Sequence, residues 1–281
     1  MAVRESGPAR KAPTDGEFDI VVRGNGIAAL VAALDCARIG LRTVVISSED
    51  WLETRENVSA RSGVAAALCA EFGVPFDVVR PQDGEQSILG IPGSPFSRSV
   101  RKTLGWRGAW RIYLDRVRPL LAIGEERNLA RLVISRIGAS ALEAFVRPFT
   151  RSVLGSDPEN IDIIDCVPEL LPAMSRVGSL TLGVLELAAA DDSFANLIRP
   201  EGGLAALESA VMRRANHFAI TVRTAERTDI SAHTTLDLSA PGFSQALDRA
   251  VPIARDRAQD ARHAVLSDVR YRPIGPVDLE G

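Results

Sequence analysis

Apolar residues gather first at Phe18, Ile20, Val21 and Val22, a short β-rich run that stops at Gly24-Asn25-Gly26. An alanine-rich pattern of helical period follows over 27–39 and meets Gly40, a natural C-terminal stop. Residues 41–46 (LRTVVI) then read as a second, buried parallel strand. Strand, glycine turn, helix and strand in this order make a βαβ unit, whose crossover is expected to be right-handed. From Trp51 to about Ala190 the pattern is mostly helical, with periods at 61–73, 106–122, 125–137 and 138–153. Residues 80–99, rich in proline and glycine, read as a loop or short hairpin. A helix is predicted over 204–215, strands over 219–224 and 234–238, an amphipathic helix over 243–260, and a last strand over 263–271.

The pattern predicts an α/β chain: a Rossmann-like doubly wound sheet built from both ends, with a mostly helical insertion between them. The expected boundaries are a solvated arm at 1–17, a nucleotide-binding-type domain at 18–50 and 195–260, a helical insertion at 51–194, and a C-terminal strand and tail at 261–281. Composition agrees with a globular protein: 281 residues, 46% hydrophobic and 25% charged. A formal net charge of -3 argues against a nucleic-acid partner. No stretch approaches ~20 consecutive apolar residues, so no membrane partner is expected. Cys36, Cys69 and Cys166 lie far apart in helix-like contexts, which suits buried thiols in a reducing cytoplasm.

The residues 24–29 form a G-x-G-x-x-A turn between a strand and a helix. Gly24 allows the tight turn, Gly26 lets a pyrophosphate approach the backbone, and Ala29 lets helix and strand pack closely. The helix N-terminus then offers N–H groups and a positive dipole end to phosphates. Gly24, Asn25, Gly26 and Ala29 are therefore the candidate cofactor-binding residues, together with Ser47. Ser47 stands where a dinucleotide-binding unit carries its ribose-binding acid, and a serine lacks the two-oxygen acceptor of a carboxylate. Arg23, beside the turn, either helps to hold a phosphate, or it caps the sheet end or pairs with Asp50.

Taken in order, these residues resemble flavin-dependent oxidoreductases of the amine oxidase and protoporphyrinogen oxidase type. The stretch FDIVVRGNGIAALVAALDCARIGLRTVVIS is similar to their FAD-binding start, and also to that of flavin monooxygenases. Residues 141–162 resemble a substrate-domain helix and "P…G-x-DP" turn, and 199–215 a P-x-G-G helix start. Leu238-Ser239-Ala240-Pro241 resembles a V-x-A-x-P turn, so the likeness spans most of 18–241. The departures are as informative. SEDWLETRENVSARSG has no Gly-Gly pair where the family has G-G-R, leaving Arg61-Ser62-Gly63 as a remnant. The family's later glycine-acid motif and helix, which hold the flavin ring, are expected to be absent, and neither Lys11 nor Lys102 matches its flavin-side lysine.

The resemblance therefore implies a degenerate flavoenzyme scaffold: no cofactor is expected, FAD if any. The expected role is a non-catalytic accessory protein binding a peptide or small-molecule intermediate in a biosynthetic pathway. The alternative is an FAD-dependent oxidoreductase whose flavin pocket is completed by a partner enzyme chain. A homodimer covering exposed apolar surface is expected in either case. A new hydrolytic activity ranks last, since no recognisable nucleophile and base appear.

Outside the glycine turn, the basic stretch 98–118 stands out. Arg98, Arg101, Trp106, Arg107, Trp110 and Arg111 are candidate ligand- or partner-binding residues, with the arginines suited to an acidic partner. The recurrence of Trp106, Trp110 and Tyr113 at helical spacing slightly favours a stripe packed inward. His217, His233 and His263 lack metal-ligand spacing. Asp157, Glu159, Asp162 and Asp165 read as a solvated loop and helix cap.

Overall fold

The structure, a computed structural model, describes residues 18–47, 53–80, 86–118, 126–224, 230, 232–239 and 246–267. The expected arm at 1–17, Asp50, and the chain beyond Ser267 lie outside the described residues. The chain divides into two compact units: Met1–Trp51, Val211–Ala240 and Val251–Gly281 form the first, and Leu52–Ala210 with Pro241–Ala250 the second.

The first unit opens with β1 (Phe18–Arg23), α1 (Gly26–Ala37) and β2 (Thr43–Ser47). In the second come β3 (Val58–Ser59), α2 (Val64–Phe72), β4 (Phe76–Val79), β5 (Ser87–Ile88), β6 (Ile91–Pro92) and α3 (Arg98–Tyr113). Helices α4 (Leu129–Arg136), α5 (Ala139–Ala141), α6 (Arg147–Val153), α7 (Ile163–Cys166), α8 (Leu170–Val177) and α9 (Leu180–Ala190) come next, then β7 (Leu197–Pro200). Helix α10 (Gly203–His217) leads on to β8 (Thr221–Thr224), β9 (Ala232–Asp237) and α11 (Leu247–Ser267).

The first unit is built on a parallel sheet of order β8-β2-β1-β9. Val21 lies level with Val44 of β2 and with Thr235 of β9. Every residue of β2, and all of β1 except Arg23, is buried, which is why both strands read as continuous apolar runs. Phe18, Val21, Val44 and Ile46 form one cluster on this sheet. Helix α1 is buried at ten of its twelve positions, and its alanines permit that close packing. At the start of β1, Asp19 is pinned by Arg42, whose N–H donates to Oδ2 at 2.7 Å and whose guanidinium donates to Oδ1 at 2.9 Å.

The second unit is mainly helical, as expected, but it also holds a sheet the pattern did not predict. Strand β7 runs antiparallel to β3 on one side and β4 on the other. The 195–200 stretch, which the expected boundaries placed with the nucleotide-binding domain, thus joins the insertion. The expected hairpin appears as β5 and β6. The core gathers Ile112, Leu129, Val133, Ile163, Leu170 and Leu180.

A polar network is enclosed within this unit. Asp115 is fully buried; its Oδ1 accepts from Arg136 Nε at 2.6 Å, and its Oδ2 from Ser179 Oγ at 2.6 Å and Thr181 N at 2.9 Å. Arg136 also donates to the carbonyls of Asp115, Arg118 and Gly178. The acidic run resolves as expected: Asp162 caps α7 through Ile164 N at 2.8 Å, while Asp157 and Glu159 take Arg147.

Two expectations are corrected. The strand predicted at 263–271 is not formed through Ser267, because α11 continues that far. Ala254, Ala258, Ala261 and Val265 keep its buried face in helical register. The helix predicted at 106–122 begins at Arg98 instead, where the Ser97 hydroxyl accepts from Val100 N at 3.3 Å. Removing one partner of the buried ion pair strands the other without compensation, so Asp115→Ala is expected to lower unfolding stability by about 3–5 kcal/mol, read by urea denaturation.

Candidate functional site

The glycine turn is fixed by the strands beside it. Gly24 N donates to Ile46 O at 3.0 Å, and Leu238 N donates to Arg23 O at 2.7 Å. At φ +155°, a side chain on Gly24 would place its Cβ 2.9 Å from Leu238 Cβ, closer than real contacts allow. Gly26 follows at φ +87°. From β1 the sheet order runs through β2 to β8 one way and to β9 the other. The turn therefore opens at the topological switch point, where open α/β sheets place their ligands.

Asn25 occupies the N-cap of α1 with extended backbone, the position from which asparagine ordinarily caps a helix. It makes no such bond: no side chain caps α1, and no acidic residue stands in its first turn. Its carboxamide oxygen accepts instead from Ser47 Oγ at 2.8 Å. The first N–H groups of a buried helix are thus offered to the crevice without a side-chain cap, a setting suited to a phosphate. Ala29 is buried behind the turn.

The structure thus brings Gly24, Asn25, Gly26, Ala29 and Ser47 together. Their fit to a dinucleotide is uneven. The pyrophosphate end has its glycines and helix terminus, whereas the hydroxyl at the ribose position is engaged by Asn25. Arg23 is exposed and lies level with Asp237 in the β1–β9 register. Hydrogen bonds from Ser239 hold the Asp237 carboxyl below its ordinary range, with weaker help from Arg23 and Arg257.

The second unit carries its own concave surface. An open pocket of about 600 Å³ is lined by Glu53, Arg55, Phe76, Asp77, Arg199 and Glu201, among others. Glu53 and Arg55 pair within it, Arg55 Nε donating to Glu53 Oε1 at 2.7 Å. In the Arg61-Ser62-Gly63 remnant, Ser62 stands at φ 57° and Gly63 at φ 68°, so this stretch keeps a left-handed backbone that glycine adopts most readily.

The residues expected on the basic stretch divide. Arg98, Arg101, Arg107, Trp106 and Trp110 are exposed on α3. Arg111 is half-buried, and its guanidinium donates to Arg136 O at 3.0 Å, a structural contact. The inward aromatic stripe is corrected: Val100, Ala109 and Ile112 make the buried face, while Trp106 and Trp110 stand 68% and 56% exposed. Among the described residues, no group of three His, Cys, Asp or Glu could hold a metal. Cys36, Cys69 and Cys166 are buried, and burial pushes the Cys36 and Cys166 thiols up to about 12, which makes them poor nucleophiles.

Asp248 escaped the sequence reading, because nothing in an amphipathic helix start marks an acid as buried. It is 5% exposed and lines a small cavity of about 30 Å³ with Ser59, Arg61, Cys166 and Phe194. Among the described residues its Oδ1 has no partner, and burial raises its carboxyl above the ordinary range, with Arg61 pulling the other way. Arg61 is itself engaged by Glu169 and the Cys166 carbonyl, both at 2.7 Å. A carboxyl raised on folding favours the folded state at acid pH and loses that contribution as pH rises through its folded value. Asp248→Asn should therefore gain thermal stability over the parent as pH rises above the ordinary carboxyl value of about 4. A pH-independent difference in melting temperature would contradict this.

No protein-family model matches the chain. It is 34% identical over 115 residues to "Putative flavin-containing monoamine oxidase AofH" of Mycobacterium tuberculosis, in two strains. That match covers 41% of this chain and 24% of the relative, so the chain spans about a quarter of the relative's length. Among solved structures, a "Putative protoporphyrinogen oxidase" from Exiguobacterium sp. 255-15 superposes with TM-score 0.48 at 16% identity, over 75% of this chain and 53% of that one. A UDP-galactopyranose mutase gives TM-score 0.38 at 13% identity, over 85% and 60%. Over these 115 residues the chain is thus similar in sequence to part of a protein described as a flavin-containing monoamine oxidase.

Proposed function

We infer that this chain binds the ADP half of an FAD-class dinucleotide at the Gly24–Gly26 turn and serves as an accessory protein, not as a self-sufficient redox catalyst. The observation that carries this reading is the bond between Ser47 and Asn25. It turns a competent capping residue away from α1 and so leaves the helix terminus to a phosphate. The same bond occupies the hydroxyl at the ribose position, where flavoenzymes of the resembled type carry an acid. ADP would then be held by backbone N–H groups and the helix dipole, without a charge-assisted ribose contact.

What supports a peptide or small-molecule ligand for the accessory role is the second unit. Strand β4 lies at the edge of its three-stranded sheet, with Phe76 37% and Val78 49% exposed on alternate positions. An edge of this kind can accept an added extended strand, and Phe76 and Asp77 also line the 600 Å³ pocket. A second reading keeps redox chemistry, with the flavin ring enclosed by another chain; the 34% identity to a flavin-containing amine oxidase favours it. In either reading the chain's own part is to seat and orient the dinucleotide; a bound flavin would supply hydride or electron transfer.

Calorimetric titration with ADP and with FAD separates the two. The accessory reading expects similar affinities, since the flavin end adds little, and a colourless protein on purification. FAD binding far tighter than ADP, or a flavin spectrum in the purified protein, would favour the redox reading. Ser47→Asp, whose carboxylate can hold Asn25 by accepting from its amide N–H and still accept from the ribose, is expected to tighten ADP binding by about tenfold or more, given ~1.5–3 kcal/mol for a hydrogen bond to a charged group. Unchanged ADP affinity in that variant would remove the ribose argument.

A further inference from the structure

Helix α3 carries Arg98, Arg101, Lys102, Arg107 and Arg111 and no acidic residue, in a chain of formal net charge -3. The nearest acid along the chain, Asp115, is buried and engaged by Arg136. The apolar requirement of the core is already met by Val100, Ala109 and Ile112. Trp106 and Trp110 are surplus to it, and stand 68% and 56% exposed.

These indoles are held in place on the surface. Phe96 lies 6.1 Å from Trp106 and 5.5 Å from Tyr113 between ring centroids, and Tyr113 lies 5.2 Å from Trp110. Four rings therefore form one continuous chain, with the Arg101 guanidinium 5.6 Å over Trp106. Val117, 61% exposed, adds apolar surface just beyond the helix. Ordered aromatic groups lose less freedom on binding than free ones would.

Charge complementarity requires an anionic partner. An acidic polypeptide would meet the cations as exposed ion pairs, each worth little, and would need matching apolar groups for the indoles. An anionic bilayer satisfies both at once: cations add through the surface potential, and indoles settle at headgroup level. We propose that the exposed surface of α3 docks peripherally on an anionic phospholipid surface, with Trp106 and Trp110 at headgroup depth and Arg101, Lys102 and Arg107 against lipid phosphates. The expectation of no membrane partner rests on the lack of a spanning stretch, and a peripheral contact needs none. The proposal stands apart from the nucleotide reading.

The test uses the whole chain with vesicles of phosphatidylcholine alone or mixed with phosphatidylglycerol. With the anionic vesicles, tryptophan emission shifts to the blue and is quenched by brominated lipid; added sodium chloride reverses both. Arg101→Gln with Lys102→Gln and Arg107→Gln weakens partitioning about a hundredfold, from roughly fivefold per cation lost near an anionic surface. Trp106→Phe with Trp110→Phe removes the quenchable signal, Trp51 being the remaining tryptophan, and leaves thermal unfolding unchanged. Equal binding to neutral vesicles, or full binding by the triple variant, would overturn the proposal. So would an emission shift with poly-L-glutamate and none with vesicles, which would assign the face to an acidic polypeptide.

Discussion

The first unit depends on how closely β1 and β9 approach at Gly24. Leu238 sits where any side chain at that position would begin. With glycine there, Leu238 N can reach Arg23 O and the strand can turn at once into α1. A larger residue would have to push β9 away from β1 or change the turn, and the crevice at the ends of these strands would change with it. The glycine is therefore a packing requirement before it is a binding one. The same absence of a Cβ then leaves the backbone accessible to a phosphate.

The second unit solves a different problem. Its helices are short, and several meet where loops would bury polar ends. Asp115 gathers these ends: it receives the hydroxyl and backbone at the start of α9 and the guanidinium at the end of α4. Arg136 then distributes the remaining donors over three carbonyls. One buried pair thus satisfies groups from three parts of the chain, which an apolar substitute could not do.

The βαβ unit was legible because its signals are local and agree: an apolar run, glycines at the required spacing, an alanine helix and a second run. The three-stranded sheet was not. Val58–Ser59 is two residues long, and β4 is mostly exposed, so neither leaves a periodic trace; only their pairing with β7 makes them strands. The aromatic spacing on α3 misled for a related reason. Trp106, Trp110 and Tyr113 all follow the break at Gly105 and do share a stripe, but spacing alone does not say which stripe faces the core, and Ala109 and Ile112 take that place. At the end of α11 the β-branched Val265 favours a strand locally, whereas the alanine face at Ala254, Ala258 and Ala261 continues the helix through it. At the cradle, the glycines could be read from spacing, but the Ser47–Asn25 bond joins residues from two elements and needed the fold.

That bond also explains which helix end is open to a ligand. Ser97, Asn128, Asp162 and Ser179 each cap their own helix through a side-chain oxygen. Helices α2 and α8 lack such a bond, but Gly63 and Glu169 stand at their caps, so no favoured capping side chain is diverted. At α1 a favoured residue is present and turned away. Forgoing a cap costs a helix about 1 kcal/mol. A marginal surface helix would fray under that loss, but α1 is buried at ten of twelve positions and is held by packing. An uncapped, positively polarised terminus can persist only where the core already fixes the helix, and here that terminus faces the crevice between β1 and β9.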